Sequence, residues 1–318
     1  MKKRILGKTG IKVSEIAFGS VEIGMPYGIG VESRKDMLSE EGAIELLHKA
    51  LDSEINFFDT ARMYGNSEQI IGKAFKHRRN EIVICTKCRH LRDQNGKLPQ
   101  KEKIDKIILD SFNESLQTLQ TDYIDVYMLH QVDKEILGNE KIANIFMRLK
   151  RDGRIKATGI STYTIDETKK AIELGIWDVV QLPFNLMDQR QSSLFDQMQQ
   201  QGIGIVVRSI LLKGLLSDRG KNLHPALKDV EEHIEKYGDL LGRINLSLPE
   251  LAIKFGLSYP EVSAVLVGLD KITYLNQTLK SANGVYLNEE ELKEAKDLSY
   301  PDPTFLNLPY WDKMNWLK

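Results

Sequence analysis

The sequence is poor in cysteine, in net charge and in long apolar runs, and each shortage removes a class of function. Among 318 residues there are two cysteines, Cys85 and Cys88, too few for a disulfide framework and unsupported by histidines at zinc-site spacing. They read C-T-K-C, but a redox pair of that spacing belongs at the start of a helix, and Cys85 falls inside a strand-like run. Period-two alternation puts Cys85 and Lys87 on one strand face and Cys88 on the other, so no metal or redox role is expected. Forty-four basic residues offset 45 acidic ones for a formal charge of −1, which gives no electrostatic case for nucleic acid or an anionic membrane. No apolar stretch nears the ~18 residues of a membrane span, and Met1-Lys2-Lys3-Arg4 leads into no signal-like block. A cytoplasmic protein is expected. Glycine-rich nucleotide motifs are also missing. Gly28-Ile-Gly30 lacks a third glycine, Gly202-Ile-Gly204 leads into a strand, and five residues separate Gly214 from Gly220-Lys221 where a P-loop needs four.

What the chain does have is a 42% apolar content distributed in alternating short and long segments. Strand-like runs occupy residues 16–19, 55–58, 82–86, 123–129, the segment ending at Ser161, 178–182, 204–207 and 262–267. Helical periodicity covers about 41–51, the segment after Asn66, 101–119, 141–151, 165–174, 192–200, 274–281 and 289–296. Asn66 with Gln69 resembles a capping box for the second of these. A Thr9-Gly10 turn marks an N-terminal hairpin. Eight strand–helix alternations with continuous apolar strands and no break in composition predict an α/β fold of one domain over residues 1–318. The expected form is a (β/α)8 TIM barrel with an N-terminal β-hairpin and a C-terminal substrate loop.

The chain is organised around residues 55–87. An apolar run ends in Asp59, Tyr64 follows in a short loop, and the next strand ends in Lys87. Another strand ends at His130. In a barrel the C-terminal strand ends form the active face, and Ser161, Gln181, Arg208 and Gly268 fall there too. Each residue alone has an ordinary reading as a turn cap, a packed aromatic, a solvated strand end or a satisfied core histidine. Together they have a chemical logic. A lysine ammonium favours the phenolate of a neighbouring tyrosine, an aspartate holds the lysine in place, and the result is a phenol tuned for general acid catalysis. His130 adds a hydrogen-bond donor for a carbonyl oxygen.

These segments resemble the aldo-keto reductase family from LGKTGIKVSEIAFG at the start to about Ala282. FFDTARMYGNSE is similar to the family signature with its catalytic aspartate and tyrosine, ICTK supplies the lysine and YMLH the histidine. GIST resembles G-I-S-N, which puts Ser161 and Thr162 beside the cofactor carboxamide, with Thr162 replacing the usual asparagine. VVQLPFN carries the family's glutamine at Gln181. RSILLKGLL resembles aromatic-S-P-L-x-x-G-x-L, so Ser209, Leu211 and Gly214 match the pyrophosphate loop. VLVGLDKITYLNQT is similar to the I-P-G segment near the adenosine phosphate, which brings in Gly268, Asp270, Tyr274 and Thr278. The resemblance implies reduction of an aldehyde or ketone with NAD(P)H, or the reverse oxidation. Tyr64 would be the acid, Lys87 and Asp59 would tune it, and His130 would orient the carbonyl, with no metal required. The expected partner is a small-molecule carbonyl compound rather than nucleic acid or a membrane, and the sequence assigns no oligomeric state.

Two departures shape the expectations. Arg208 stands where relatives place an aromatic against the nicotinamide, adding a charge that suits an anionic or hydroxyl-rich, sugar-like substrate. Asp270 stands where many relatives place cations for the 2′-phosphate, so NADH is expected to bind at least comparably to NADPH. Two other classes stay open: a cofactor-binding redox sensor or regulatory barrel with slow chemistry, and a lyase or isomerase using Lys87 as a Schiff-base amine. Residues 25–38, 91–100, 131–139, 216–227 and 299–318 are the expected specificity segments. The tail aromatics Phe305, Tyr310, Trp311 and Trp316 are expected either to wall the pocket or to dock on the barrel.

Overall fold

Eight parallel strands close into a barrel in the computed structural model, which describes residues 1–317. Two short strands, β1 (Lys3–Ile5) and β2 (Lys12–Ser14), pair antiparallel ahead of it. The barrel strands are β3 (Ile16–Gly19), β4 (Phe57–Asp59), β5 (Val83–Lys87), β6 (Ile124–Leu129), β7 (Ile155–Ser161), β8 (Val179–Pro183), β9 (Gly204–Arg208) and β10 (Val262–Gly268). Each pairs with the next, and β10 closes on β3. In chain order the helices are α1 (Val21–Gly24), α2 (Glu40–Asp52), α3 (Ser67–Phe75), α4 (Lys101–Leu119), α5 (Lys134–Leu137), α6 (Glu140–Arg151) and α7 (Ile165–Leu174). They continue with α8 (Phe195–Gln200), α9 (Lys228–Glu235), α10 (Gly238–Ile244), α11 (Leu248–Leu257), α12 (Ile272–Ser281), α13 (Glu289–Asp297) and α14 (Leu308–Lys313). None is long and apolar enough to cross a membrane.

The strands are buried on both faces, and the two faces build separate cores. Alternate residues Ala17, Phe57, Val83, Cys85, Val126, Met128 and Ala157 fill the interior, together with Leu6 and Val13 from the hairpin. Phe18, Phe58, Ile84, Tyr127 and Leu129 face outward onto the helices. Phe58 packs against Phe75 of α3 with ring centroids 4.6 Å apart. Cys85 and Cys88 therefore belong to opposite layers, and both are free and buried.

Register sets the rim. Gly19 lies opposite Asp59, Asp59 opposite Cys85, Lys87 opposite Met128, and Ser161 opposite Gln181. Gly268 lies opposite Gly19 and so closes the ring. The segment between β4 and α3 is a main-chain structure. Thr60 N–H donates to Cys85 O at 2.8 Å, Arg62 N–H to Lys87 O at 3.1 Å and Ser67 N–H to Tyr64 O at 3.0 Å. The capping box expected from Asn66 and Gln69 does not form. The Asn66 N–H that such a box would satisfy donates to Gly24 O instead, and Ser67 joins a buried hydroxyl chain with Ser20 and Thr60.

Gly24 and Gly65 make that contact possible. Gly65 takes a left-handed φ of 55°, and a Cβ on Gly24 would lie 2.0 Å from Tyr64 O. We expect Gly24→Ala to cost about 1–3 kcal/mol, the usual price of overpacking, with faster amide exchange in residues 60–67. Urea titration and hydrogen exchange measure the two effects.

Candidate active site

The floor of the cleft is a buried ion pair. Lys87 Nζ donates to Asp59 Oδ2 at 2.6 Å and to Thr60 O at 3.0 Å, and the two side chains are 0% and 1% exposed. Gln181 Nε2 donates to the other carboxylate oxygen at 2.7 Å. Gln181, expected as the family's glutamine, thus ties β8 to β4. Removing one partner from such a pair typically costs 3–5 kcal/mol, because the other charge is stranded in a dry interior.

Tyr64 and His130 stand above the pair. Lys87 Nζ lies 5.0 Å from the centroid of the Tyr64 ring, and the Tyr64 and His130 rings meet edge-on at 5.3 Å. The loop carrying Tyr64 is braced from behind by Arg62, which bonds Glu68 and reaches Glu114 at 3.1 Å. Glu68 in turn accepts from Thr86 at 2.6 Å. His130 lines the cavity, and its Nδ1 is buried without a partner.

Electrostatics refine the sequence reading of this group. Burial raises the Tyr64 phenol above its usual value; Lys87 and Arg208 pull it down, Asp59 and Tyr163 push it up, and the net direction is upward. The expected lowering by Lys87 is therefore present but outweighed by desolvation. The phenol is held protonated at neutral pH, as a proton donor must be. Burial works to strip Lys87 of its proton, yet Asp59, with Tyr64 and Cys85, more than offsets it. A lysine held charged this way is a poor Schiff-base amine. Burial, then Lys87, His90 and Arg208, hold His130 well below the usual imidazole range, so it is a neutral donor.

A cavity of about 1050 Å³ opens over these residues. Asp59, Tyr64, His130, Ser161, Gln181, Arg208, Ser209, Leu211, Gly214, Gly268, Asp270, Tyr274 and Thr278 all line it. Thr162 does not. Strand alternation points Ser161 inward, while the Thr162 hydroxyl pairs with Thr168 Oγ1 of α7 at 2.8 Å. Only its carbonyl takes part, accepting from Arg208 Nη2 at 3.0 Å. Arg208 also lies 4.3 Å from the Tyr163 ring centroid. Residues 209–214 coil tightly, with left-handed backbone at Ser209, Leu212, Lys213 and Gly214. Such conformations are costly for non-glycine residues and gather at ligand-binding segments.

Of the four tail aromatics, none lines the cavity. Trp311 is fully buried against the barrel, while Leu308, Pro309 and Asp312 line the cavity and Asp312 pairs with Lys213. Tyr310 stays 47% exposed.

Comparison with known proteins places this geometry. The model of the Aldo/keto reductase family matches residues 15–299. The chain belongs to the aldo/keto reductase family. It is 29% identical over 315 residues to the uncharacterized oxidoreductase YqkF of Bacillus subtilis (strain 168), covering 95% of this chain and 98% of that one. It is 27% identical to the L-galactose dehydrogenase of Arabidopsis thaliana over 94% of each chain. Among solved structures it is similar to the holo form of the aldo-keto reductase AKR11C1 from Bacillus halodurans. That match has a TM-score of 0.79 at 27% identity and covers 95% and 97% of the two chains. As an aldo-keto reductase the protein is an oxidoreductase that works with a nicotinamide cofactor.

The residues of this aldo-keto reductase fit such a cofactor. Gly19 and Gly268 present bare backbone at the rim, and the left-handed coil of residues 209–214 lines the same cavity with Arg219, whose guanidinium is shared with Asp270. Arg219 was not legible beforehand, and it corrects the expectation for Asp270. The two are ion-paired at 3.4 Å, and the guanidinium sits 5.4 Å from the Tyr274 ring centroid, so Asp270 is not an unscreened charge. Two other neighbours went unread: His90, whose ring lies 4.9 Å from that of His130, and Glu22, which lines the cavity just after β3. The position of Glu22 three residues beyond the strand-ending Gly19 was an available signal, whereas nothing in the surrounding sequence marks Arg219.

We expect Lys87→Met to lower stability by about 3–5 kcal/mol, since it strands the Asp59 charge. Asp59→Asn in the same chain should recover most of that loss while leaving the protein inactive. Denaturant titration of the two single variants and the double variant checks the cycle.

Proposed function

We propose that this reductase converts an aldehyde or ketone to the alcohol, all on one barrel domain, with Tyr64 delivering the proton to the carbonyl oxygen. The observation that carries the reading is the edge-on pair of Tyr64 and His130 beside the buried Asp59–Lys87 pair, with Asp59, Tyr64 and His130 lining a single cavity and Lys87 sealed beneath it. NAD(P)H supplies the hydride when bound. His130, neutral, donates a hydrogen bond that orients the carbonyl and polarises it. Tyr64 gives its proton as negative charge develops on that oxygen, and the phenolate so formed is stabilised by the Lys87 ammonium. Asp59 keeps Lys87 charged and fixed, and Gln181 fixes Asp59. Ser161 and Gln181 would hold the carboxamide end of the cofactor, the 209–214 coil its diphosphate, and the wall of Gly268, Asp270, Tyr274 and Thr278 its adenosine end.

Arg208 and Tyr163 make the substrate side polar, which favours a hydroxyl-rich or anionic carbonyl compound such as a sugar. The similarity to an L-galactose dehydrogenase agrees with that class. At the adenosine end the mutual neutralisation of Asp270 and Arg219 leaves neither charge in excess. NADH and NADPH should therefore bind within about tenfold of each other at matched salt, a difference below ~1.4 kcal/mol. Fluorescence titration measures this, and Arg219→Ala should shift the ratio towards NADH.

The test of the chemistry is Tyr64→Phe, followed by stopped-flow hydride transfer on a panel of sugar aldehydes and 2-oxo acids. We expect the rate to fall by ~10²–10⁴-fold, the usual contribution of a general acid, with cofactor affinity changed less than a few-fold. Retention of most of the wild-type rate would remove Tyr64 from the mechanism. Negligible turnover by the unmodified protein across the panel, with tight cofactor binding, would favour a sensor.

A further inference from the structure

One half-buried acid in the cavity has no part in the mechanism above. Glu22 follows β3 by three residues and lines the cavity beside Gly268. The contact between them is close: a Cβ built on Gly268 would fall 1.9 Å from Glu22 Oε1. Bare backbone at Gly268 is what lets the carboxyl lie across the end of β10. Glu22 Oε2 is shut off from solvent and has no hydrogen-bond partner. A carboxylate left that way is expensive, whereas a carboxylic acid is tolerable and can donate.

The surrounding charges explain why nothing pairs with it. Arg219, after β9, is engaged by Asp270, and Lys213 by Asp312 of α14. Asp270 itself faces Glu22 and adds a like charge. Tyr27, whose ring lies 4.4 Å from Lys213 Nζ, is the remaining titratable neighbour, and burial keeps it a neutral phenol. The two nearest cations are therefore both spent on other acids.

We propose that Glu22 contacts the dinucleotide as a neutral carboxylic acid, so that cofactor binding is coupled to retention of one proton at this side chain. The inference rests on the nicotinamide-cofactor reading of the cavity. Its chemistry is simple. The cavity that takes an anionic diphosphate is walled here by a group that repels the ligand when ionised and can donate a hydrogen bond to it when protonated. Burial is the chief influence raising the Glu22 carboxyl to about 8; its own backbone N–H opposes this, Asp270 reinforces it, and Arg219 and Lys213 offset part of it. The sign follows. Below pH 8 the proton is in place and affinity is full. As pH rises through that value the free protein loses the proton, and binding must restore it.

The test is NADH affinity by protein-fluorescence quenching from pH 7.5 to 9.5 at constant ionic strength, with NADPH as a second arm. In that window the phosphates of both are already fully ionised, since even a phosphate monoester has its second pKa near ~6, so the ligand contributes no slope. We expect Kd to rise about tenfold between pH 7.5 and 9.2, as linkage to one group near 8 requires. Calorimetry at pH 8.8 in buffers of different ionisation enthalpy should show uptake of most of one proton per cofactor. Glu22→Gln, isosteric and never charged, should flatten the profile and abolish the uptake, and Glu22→Ala should do the same if the glutamine variant folds poorly. A flat profile in the unmodified protein, or an equal slope in both variants, overturns the inference while leaving the cofactor reading intact. Failure of both dinucleotides to bind at every pH overturns both readings.

Discussion

Everything at the mouth of the barrel depends on one pair of opposite charges taken out of water. Asp59 and Lys87 sit at the ends of adjacent strands with almost no exposure. Burial alone would work to strip the lysine of its charge. Their mutual attraction holds the lysine protonated against desolvation, and the glutamine of β8 and the carbonyl of Thr60 use the remaining hydrogen-bonding capacity. The pair is thus a cross-brace between β4, β5 and β8, as well as a fixed positive charge aimed at a phenol. Stability and chemistry are drawn from the same contact.

That arrangement also explains why the phenol and the imidazole are neutral. In a dry pocket desolvation dominates every titratable group that lacks a close counter-charge. At Tyr64 burial outweighs the nearby Lys87, and His130 has only positive or basic neighbours, so one keeps its proton and the other does not gain an extra one. In the proposed mechanism, the lysine's influence on Tyr64 is reserved for the moment when negative charge appears. A sequence argument that weighs only neighbours and not burial misses the net direction of the Tyr64 shift.

Period and punctuation made most of the fold legible. The helices at Lys101–Leu119 and Ile165–Leu174 and the strand at Ile16–Gly19 begin and end where apolar periodicity and turn residues place them. Strand ends were equally readable, and with them the positions of Asp59, Lys87 and His130, because a barrel converts strand termini into a single rim. What escaped was set by contacts distant in sequence. Asn66 looks like half of a capping box until Gly24 O, more than forty residues earlier, takes its N–H. Thr162 looks like a rim residue until Thr168 turns its hydroxyl away. Arg219 lies in a loop without pattern, and only the folded chain brings it to Asp270.

The placement of the two cysteines has a practical consequence. One belongs to the barrel interior and the other to the layer beneath the helices, both are sealed from solvent, and burial pushes both thiols up, Cys88 to about 12. Since the thiolate is the reactive form, a maleimide added to the native protein has nothing to attack. The surface is chemically silent towards thiol reagents. A single cysteine introduced at exposed Met63, one residue before Tyr64, would be the sole point of labelling, so a fluorophore or spin label there would report on the mouth of the cavity with no background from the native thiols.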